Sequence, residues 1–256
     1  MTITCDIPKM TCAQCADGAK LDFEFSMAFQ PIVDIRDRSI YSQEALVRGV
    51  DGSSAASIFR HVHEGNRYAF DQACRVKAVK LAAQLGIDSY LNINFIPTAV
   101  YRPEVCIRTT LEAASIYGFP SERIIFEFTE NDHVDNPEHL SGIVDYYRDI
   151  GFQTAIDDFG SGYSGLGLLA DIQTDMLKID MALIRNIHAD PVRRAIVRSL
   201  LSLCDELHIT LMAEGLESKD ELRCLSDLGI HLYQGYYFAK PSFESLAEID
   251  PEAFDL

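Results

Sequence analysis

The stretch Ser26 to Arg48, SMAFQPIVDIRDRSIYSQEALVR, decides the fold. The runs Phe23 to Val33 and Ile40 to Arg48 read as strands, because apolar, β-branched and aromatic residues dominate them. Only Asp34 to Ser39 joins them, and a parallel crossover needs a dozen residues or more. These two strands are therefore expected to pair antiparallel.

After Arg48 the pattern changes to alternation. Strand-like runs recur at Tyr90 to Ile96, Arg123 to Thr129, Gln153 to Asp157, Asp175 to Ile179, Ile209 to Ala213 and His231 to Tyr233, which makes eight with the first two. Helical patterns lie between them at Asn66 to Leu85, Pro103 to Tyr117, Pro137 to Ile150, Pro191 to Leu207 and Ser218 to Leu228. Asn66 and Asp190 read as N-caps, Pro191 as a first-turn residue and Gly86 as a C-terminal stop. Eight strands alternating with helices over about 235 residues suit a closed barrel better than an open sheet. The expected fold is α/β, a modified TIM (β/α)8 barrel with an antiparallel first strand, over residues 23–256. Phe159 to Gly167 is the one stretch where loop chemistry dominates.

Residues 1–22 lack a sustained period and read as a flexible N-terminal tail. It holds Cys5 and the pair Cys12-Ala13-Gln14-Cys15. Structural zinc takes four ligands and this tail supplies three thiols with no close histidine, so reduced thiols are the preferred reading. Two chains pooling their thiols would complete a zinc site, which stays open, as does a redox role. The other cysteines, Cys74, Cys106, Cys204 and Cys224, sit in apolar helical segments as small hydrophobes, and no disulfide framework is expected.

With 48% hydrophobic and 24% charged residues, the chain of 256 can bury a core. Its 22 Lys and Arg against 39 Asp and Glu leave a formal charge of −17, with no basic run. Such a surface repels polyphosphates unless cations bridge, which argues against DNA or RNA polymers as partners. No apolar stretch reaches the roughly 18 residues of a membrane helix, and Met1 to Asp22 has no signal-peptide pattern, so a cytoplasmic protein without membrane insertion is expected.

In a βα barrel the chemistry sits at the C-terminal ends of the strands. Here those ends present Glu44, Asn94, Glu127, Asp157 with Asp158, Lys178, Glu214 and Gln234. Most continue apolar runs, as in Ile124-Ile125-Phe126-Glu127, a poor setting for solvated carboxylates. Five acids converging on one mouth would repel and be driven towards protonation unless cations neutralise them. Oxygen-rich ligands without a placed His or Cys favour Mg²⁺, Mn²⁺ or Ca²⁺ over zinc. Adjacent Asp157 and Asp158 can serve two ions, and a two-ion site about 3.5–4 Å across suits in-line displacement at phosphorus. Lys178, on an apolar strand beside these acids, can orient the attacking water or offset charge on the phosphoryl group. Taken singly, an acid at a strand end is more often a cap or turn residue; the constellation outweighs that. Glu130 is read as such a case, a capping or pairing residue, because its spacing from Glu127 turns it to the other strand face.

Glu44-Ala45-Leu46-Val47-Arg48 resembles the namesake motif of the EAL-domain family, bacterial cyclic-di-GMP phosphodiesterases. Gln30-Pro31-Ile32-Val33, Asn92-Ile93-Asn94, Glu127-Phe128-Thr129-Glu130 and Asp157-Asp158-Phe159-Gly160-Ser161-Gly162-Tyr163-Ser164 are also similar to the family. So are Leu177-Lys178-Ile179-Asp180, Ala213-Glu214-Gly215-Leu216-Glu217 and Gln234-Gly235-Tyr236-Tyr237-Phe238, in family order across roughly residues 23–245. Three common helix formers prove nothing alone; the ordered set is specific. Departures are small: Asn131 stands where Ser or Thr is frequent, and Gly165 and Gly167 replace larger residues.

The resemblance implies hydrolysis of cyclic-di-GMP to linear pGpG with two Mg²⁺ or Mn²⁺ ions, with Ca²⁺ inhibiting, and a homodimer formed near the glycine-rich loop. It implies Glu44, Asn94, Glu127 and Asp157 as ligands of one ion, Asp158 as the bridging or second-ion ligand, and Glu214 as a further metal and water group. Lys178, Glu214, Asp158 and Glu44 form the implied catalytic set. Gln30, Arg48 and Gln234 are implied substrate contacts, Gln234 also supporting the second ion and its water, and Glu217 is implied to steady the glycine-rich loop. A non-catalytic cyclic-di-GMP receptor or protein-interaction module is the alternative, disfavoured by the intact acids. An unrelated metal-dependent barrel enzyme is more remote.

Overall fold

The computed structural model describes residues 21–130, 137–162 and 165–255. Cys5, Cys12 and Cys15, with nearly all of the tail, lie outside these residues, as do Asn131, Tyr163 and Ser164.

All eight expected strands are present: β1 (Phe25–Asp34), β2 (Ser39–Gly49), β3 (Tyr90–Asn94), β4 (Ile124–Thr129), β5 (Gln153–Phe159), β6 (Met176–Ile179), β7 (Thr210–Ala213) and β8 (Leu232–Tyr233). They run in order β2-β3-β4-β5-β6-β7-β8-β1, and β1–β2 pairing closes the barrel. β1 is antiparallel to both neighbours, β2 and β8, while β2 to β8 are mutually parallel. The short connection after Asp34 works as expected: Asp34 accepts from the Arg36 N–H, and Arg38 takes a left-handed φ of 52°. A ninth strand escaped the sequence pattern, β9 (Ser242–Phe243), which pairs with β1 at Ala28 and Phe29. At two residues it is too short to show a period.

The helices are α1 (Ala55–Phe59), α2 (Arg67–Gln84), α3 (Pro103–Cys106), α4 (Arg108–Tyr117), α5 (Pro137–Asp149), α6 (Gly165–Asp171), α7 (Met181–Ile184), α8 (Pro191–Leu207) and α9 (Lys219–Leu228). Asp190 caps α8 as expected, accepting from the N–H groups of Val192 and Arg193, and Ser218 forms a full capping box with Glu221 on α9. Asn66 occupies the N-cap position of α2 as expected, without a side-chain bond to the helix. Its side chain instead accepts from the His63 N–H and donates to the His61 carbonyl, bracing the turn before the helix. The Pro103 to Tyr117 pattern breaks at the buried Ile107. The glycine-rich stretch is loop only in part, since α6 begins at Gly165, where burial of Leu169 outweighs poor helix propensity. No helix among the described residues is long and apolar enough to cross a membrane.

Period-2 alternation divides the longer strands. One face packs outward against the helices, as Phe126 does against Tyr147 and Phe152. The other fills the barrel. Ile32, Ile125, Ala155, Met176, Met212 and Leu232 form one apolar layer inside it, each 1% exposed or less. This layer is the floor on which the site stands.

Candidate functional site

One period further along β4 to β8, the floor residues give way to chemistry. Ile125 is followed by Glu127, Ala155 by Asp157, Met176 by Lys178, Met212 by Glu214 and Leu232 by Gln234. β1 runs the other way, so Ile32 is followed by Gln30 in reverse, and register places Gln30 opposite Glu44 of β2. The layered interior of the barrel thus converts a change of residue type at one level into a ring of functional groups.

Lys178 stands at the centre of that ring and is fully buried. Its Nζ lies 3.0 Å from Glu127, 3.0 Å from Asp157 and 3.5 Å from Glu44, and it also pairs with Glu214. Glu44 is held by two amides: Asn94 Nδ2 donates to its Oε1 at 2.8 Å and Gln234 Nε2 to its Oε2 at 2.7 Å. Asn92 Nδ2 donates to Glu127 Oε1 at 2.6 Å. Sequence reading left Asn92 without a role, although the Asn-Ile-Asn alternation already put it on the same face as Asn94.

Asp157 and Asp158 are adjacent, and a regular strand would point them to opposite faces. β5 avoids this with an irregularity against β6 between Ile156 and Phe159, where Asp158 adopts a left-handed φ of 54°. Such a conformation is costly for a non-glycine residue and is a mark of functional sites. Both carboxylates consequently line one cavity of about 350 Å³, together with Glu44, Glu214, Gln30 and Gln234. Leu46, Met181 and Tyr236 also line it; Leu46 and Tyr236 stand in the quoted motifs but were assigned no role there.

The electrostatics follow from burial. Burial works against the charge of Lys178, but Asp157, Glu127, Glu214 and Glu44 outweigh it and hold the ammonium well above the ordinary lysine value. Burial pushes Glu127 up to about 8, against the pull of Lys178 and with added repulsion from Glu44 and Asp157. Glu214 is raised well above the carboxylate range by burial and then by Asp157. Asp158 is raised to about 6 by burial, Asp157 and Asp180. One lysine does not balance five acids.

Cations would. Glu44, Glu127 and Asp157 each present an oxygen within 4.8 Å of the others, and so do Asp157, Asp158 and Glu214. The two groups share Asp157, whereas Asp158 belongs to the second alone. Glu127 Oε2 is buried with no hydrogen-bond partner among the described residues, the condition expected of an oxygen built to face a cation. The donor set is all oxygen, so the residues fit hard divalent ions.

Two residues of the expected set lie apart. Arg48 shares the face of Glu44 and Leu46 farther along β2, with its Nη1 donating to the Val47 carbonyl at 2.7 Å. Glu217 lines the cavity rim and pairs with Arg185 at 2.8 Å. In the glycine-rich segment the Gly160 N–H donates to Glu130 Oε2 at 2.7 Å. Gly160 has a φ of 92°, and a Cβ there would collide with Leu183 of α7. The pairing role read for Glu130 therefore falls on the backbone beside the two aspartates.

The chain is similar to a standalone versatile EAL protein from Vibrio cholerae O395, solved in a c-di-GMP bound form. That structure is 58% identical, covers 93% of this chain and 100% of its own, and has a TM-score of 0.89. The chain is 30% identical to the blue light- and temperature-regulated antirepressor BluF of Escherichia coli K12, over 87% of this chain and 55% of that protein. It is 30% identical to the probable cyclic di-GMP phosphodiesterase PdeG of the same organism, over 83% of this chain and 44% of that protein. The chain thus spans about half the length of these curated relatives. A sequence model of the EAL domain matches residues 18–241, which includes every strand that carries a ring residue, and the chain belongs to the EAL domain family.

Proposed function

We propose that this protein hydrolyses cyclic-di-GMP to linear pGpG in a reaction dependent on two Mg²⁺ or Mn²⁺ ions. The observation that carries the reading is the pair of carboxylate groups joined at Asp157, with Lys178 against both. Glu44, Asn94, Glu127 and Asp157 would hold one ion; Asp157, Asp158 and Glu214 would hold the other. When bound, such a pair lowers the pKa of water and neutralises phosphate charge.

The chain's own residues supply the rest. Lys178 orients the attacking water and offsets charge developing on the phosphoryl oxygens. The water oxygen bonds to phosphorus as the bond to the 3′ oxygen breaks; Glu214 takes the water's proton, and the leaving oxygen is protonated from solvent. Gln234 fixes Glu44. Gln30 and Arg48 receive the substrate, extended across the mouth, and Glu217, paired with Arg185, steadies the glycine-rich loop.

The test is incubation of purified protein with cyclic-di-GMP and Mg²⁺ or Mn²⁺, with EDTA and Ca²⁺ arms, following pGpG by chromatography. Metal-dependent pGpG that fails in EDTA and Ca²⁺ is the expected result. Binding without product would replace the reading with a receptor or interaction module, the reading favoured by similarity to an antirepressor. The proposal includes a cytoplasmic homodimer. Leu166 of α6 is exposed beside the glycine-rich segment, and Val192 and Ile196 are exposed one turn apart on α8. Sedimentation of the wild type against Val192→Glu tests it.

A further inference from the structure

In a chain with a charge of −17, α8 carries Arg193, Arg194 and Arg198 and has no acid before Asp205. Helical spacing sorts the faces of α8. Val197, Leu200 and Cys204 point to the core, and Val192 and Ile196 form one exposed flank. Arg194 and Arg198, one turn apart, form the other flank, which faces α9. Across from them stands Arg223, and His188 closes the end nearer the barrel mouth. Together they line a groove of about 470 Å³, within the roughly 300–1,000 Å³ typical of small-ligand pockets.

We propose that this groove is a binding site for a small phosphate-bearing anion, separate from the barrel mouth. Asp220 and Asp227 also line it, yet neither forms an ion pair with these arginines, and Arg198 and Arg223 have no ion pair among the described residues. Arg194 is anchored on one side, its Nη1 donating to the carbonyls of Ile187 at 3.1 Å and His188 at 2.6 Å. A partly fixed guanidinium with two exposed ones around it suits bidentate recognition of phosphate oxygens, which lysines would not provide. The surrounding acidic surface repels anions, so one that binds must be held by the groove itself.

The location also connects the groove to the ring. The turn that Arg194 grips continues backwards to Asn186, whose N–H donates to Glu221 at 2.9 Å, and to Arg185, which pairs with Glu217 and donates to the Gly215 carbonyl. Glu217 and Gly215 line the mouth cavity. A ligand on Arg194 therefore loads the same turn that holds the rim of the site.

Calorimetric titration of the full chain with inorganic pyrophosphate, in EDTA and about 0.15 M salt, tests the proposal, because the metal-free acidic mouth repels the probe. One anion is expected per chain, weakened at least tenfold in Arg198→Ala/Arg223→Ala and retained in Asp157→Asn. Circular dichroism verifies that each variant is folded. Pyrophosphate is also expected to slow alkylation of Cys224, which lines the groove, with Cys224→Ser identifying the reacting thiol. No binding tighter than about 1 mM, or binding insensitive to the arginine changes, overturns the site. Capture of hexaglutamate but not pyrophosphate likewise overturns it, in favour of an acidic protein segment. The outcome is independent of whether the mouth hydrolyses cyclic-di-GMP.

Discussion

The carboxylate of Glu130 accepts a 2.7 Å hydrogen bond from the backbone N–H of Gly160, two residues after Asp158. It joins the end of β4 to the turn that keeps both aspartates on one face. Glu130→Gln keeps the size but loses the charge that strengthens the bond, a loss of about 1.5–3 kcal/mol if the contact breaks. Turnover and Mn²⁺ affinity are each expected to fall about tenfold or more, and thermal unfolding in Mn²⁺ to drop by several degrees. Steady-state kinetics and Mn²⁺ titration check both, and unchanged values would rule out a role for this bond in holding the turn.

Lys178 is the only cation of the ring among the described residues, so its removal has two separable effects. Lys178→Ala is expected to lower turnover by roughly 10²–10³-fold, in line with the loss of a preorganised donor. It also leaves several carboxylates facing one another, so the metal-free variant should be less stable than metal-free wild type, and Mn²⁺ should restore most of the difference. Denaturation with and without Mn²⁺ reads this directly. Full activity in Lys178→Ala would remove the lysine from the chemistry.

Metal binding should release protons near neutrality. Glu127 is raised to about 8 and Asp158 to about 6, so the metal-free site holds protons that a cation must displace. Apparent Mn²⁺ affinity is therefore expected to rise with pH between about 6 and 8, with proton release measurable by calorimetry in buffers of different ionisation enthalpy. The same groups set the stability of the metal-free chain. From the ordinary carboxylate value up to about 8, the folded state binds more protons than the unfolded one, so stability declines as pH rises through this window. A pH-independent Mn²⁺ affinity would contradict the assignment.

Asp71 and Arg75 of α2 form a buried ion pair at 2.7 Å outside the barrel wall. Arg75 Nη1 also donates to the Tyr147 hydroxyl, and its guanidinium lies over the rings of Phe95 and Phe126, while Asp71 accepts from the Ile96 N–H, two residues after Asn94. Asp71→Asn strands a buried guanidinium and is expected to cost about 3–5 kcal/mol in urea denaturation. Because Ile96 follows the Asn94 strand end, Mn²⁺ affinity should fall as well.

Asp157 belongs to both carboxylate groups. Asp157→Asn is accordingly expected to abolish turnover and to remove both ions, whereas Asp158→Asn should leave one. Metal content of the dialysed variants distinguishes the two.

Much of this was local and therefore legible in the chain. The short link between Asp34 and Ser39 dictated an antiparallel first pair, and the replacement of an apolar residue by an acid, amide or lysine one period along β4 to β8 marked the mouth. Periodicity exposes such features because barrel strands are staggered by a fixed shear, so residues that are not direct register partners, such as Glu127 and Asp157, arrive at one level. Other features depended on contacts between segments that carry no mutual signal. Asn92 finds Glu127 and Glu130 finds Gly160 only once β3, β4 and β5 are side by side. Asp158 shares the mouth with Asp157 through a bulge that alternation forbids. Glycine-rich residues became α6 because Leu169 had a core to enter. The sequence by itself determined which groups reach the barrel mouth; the tertiary structure decided how they pair, because hydrogen bonds and buried charges are settled by ångström-scale distances that close only when the barrel does.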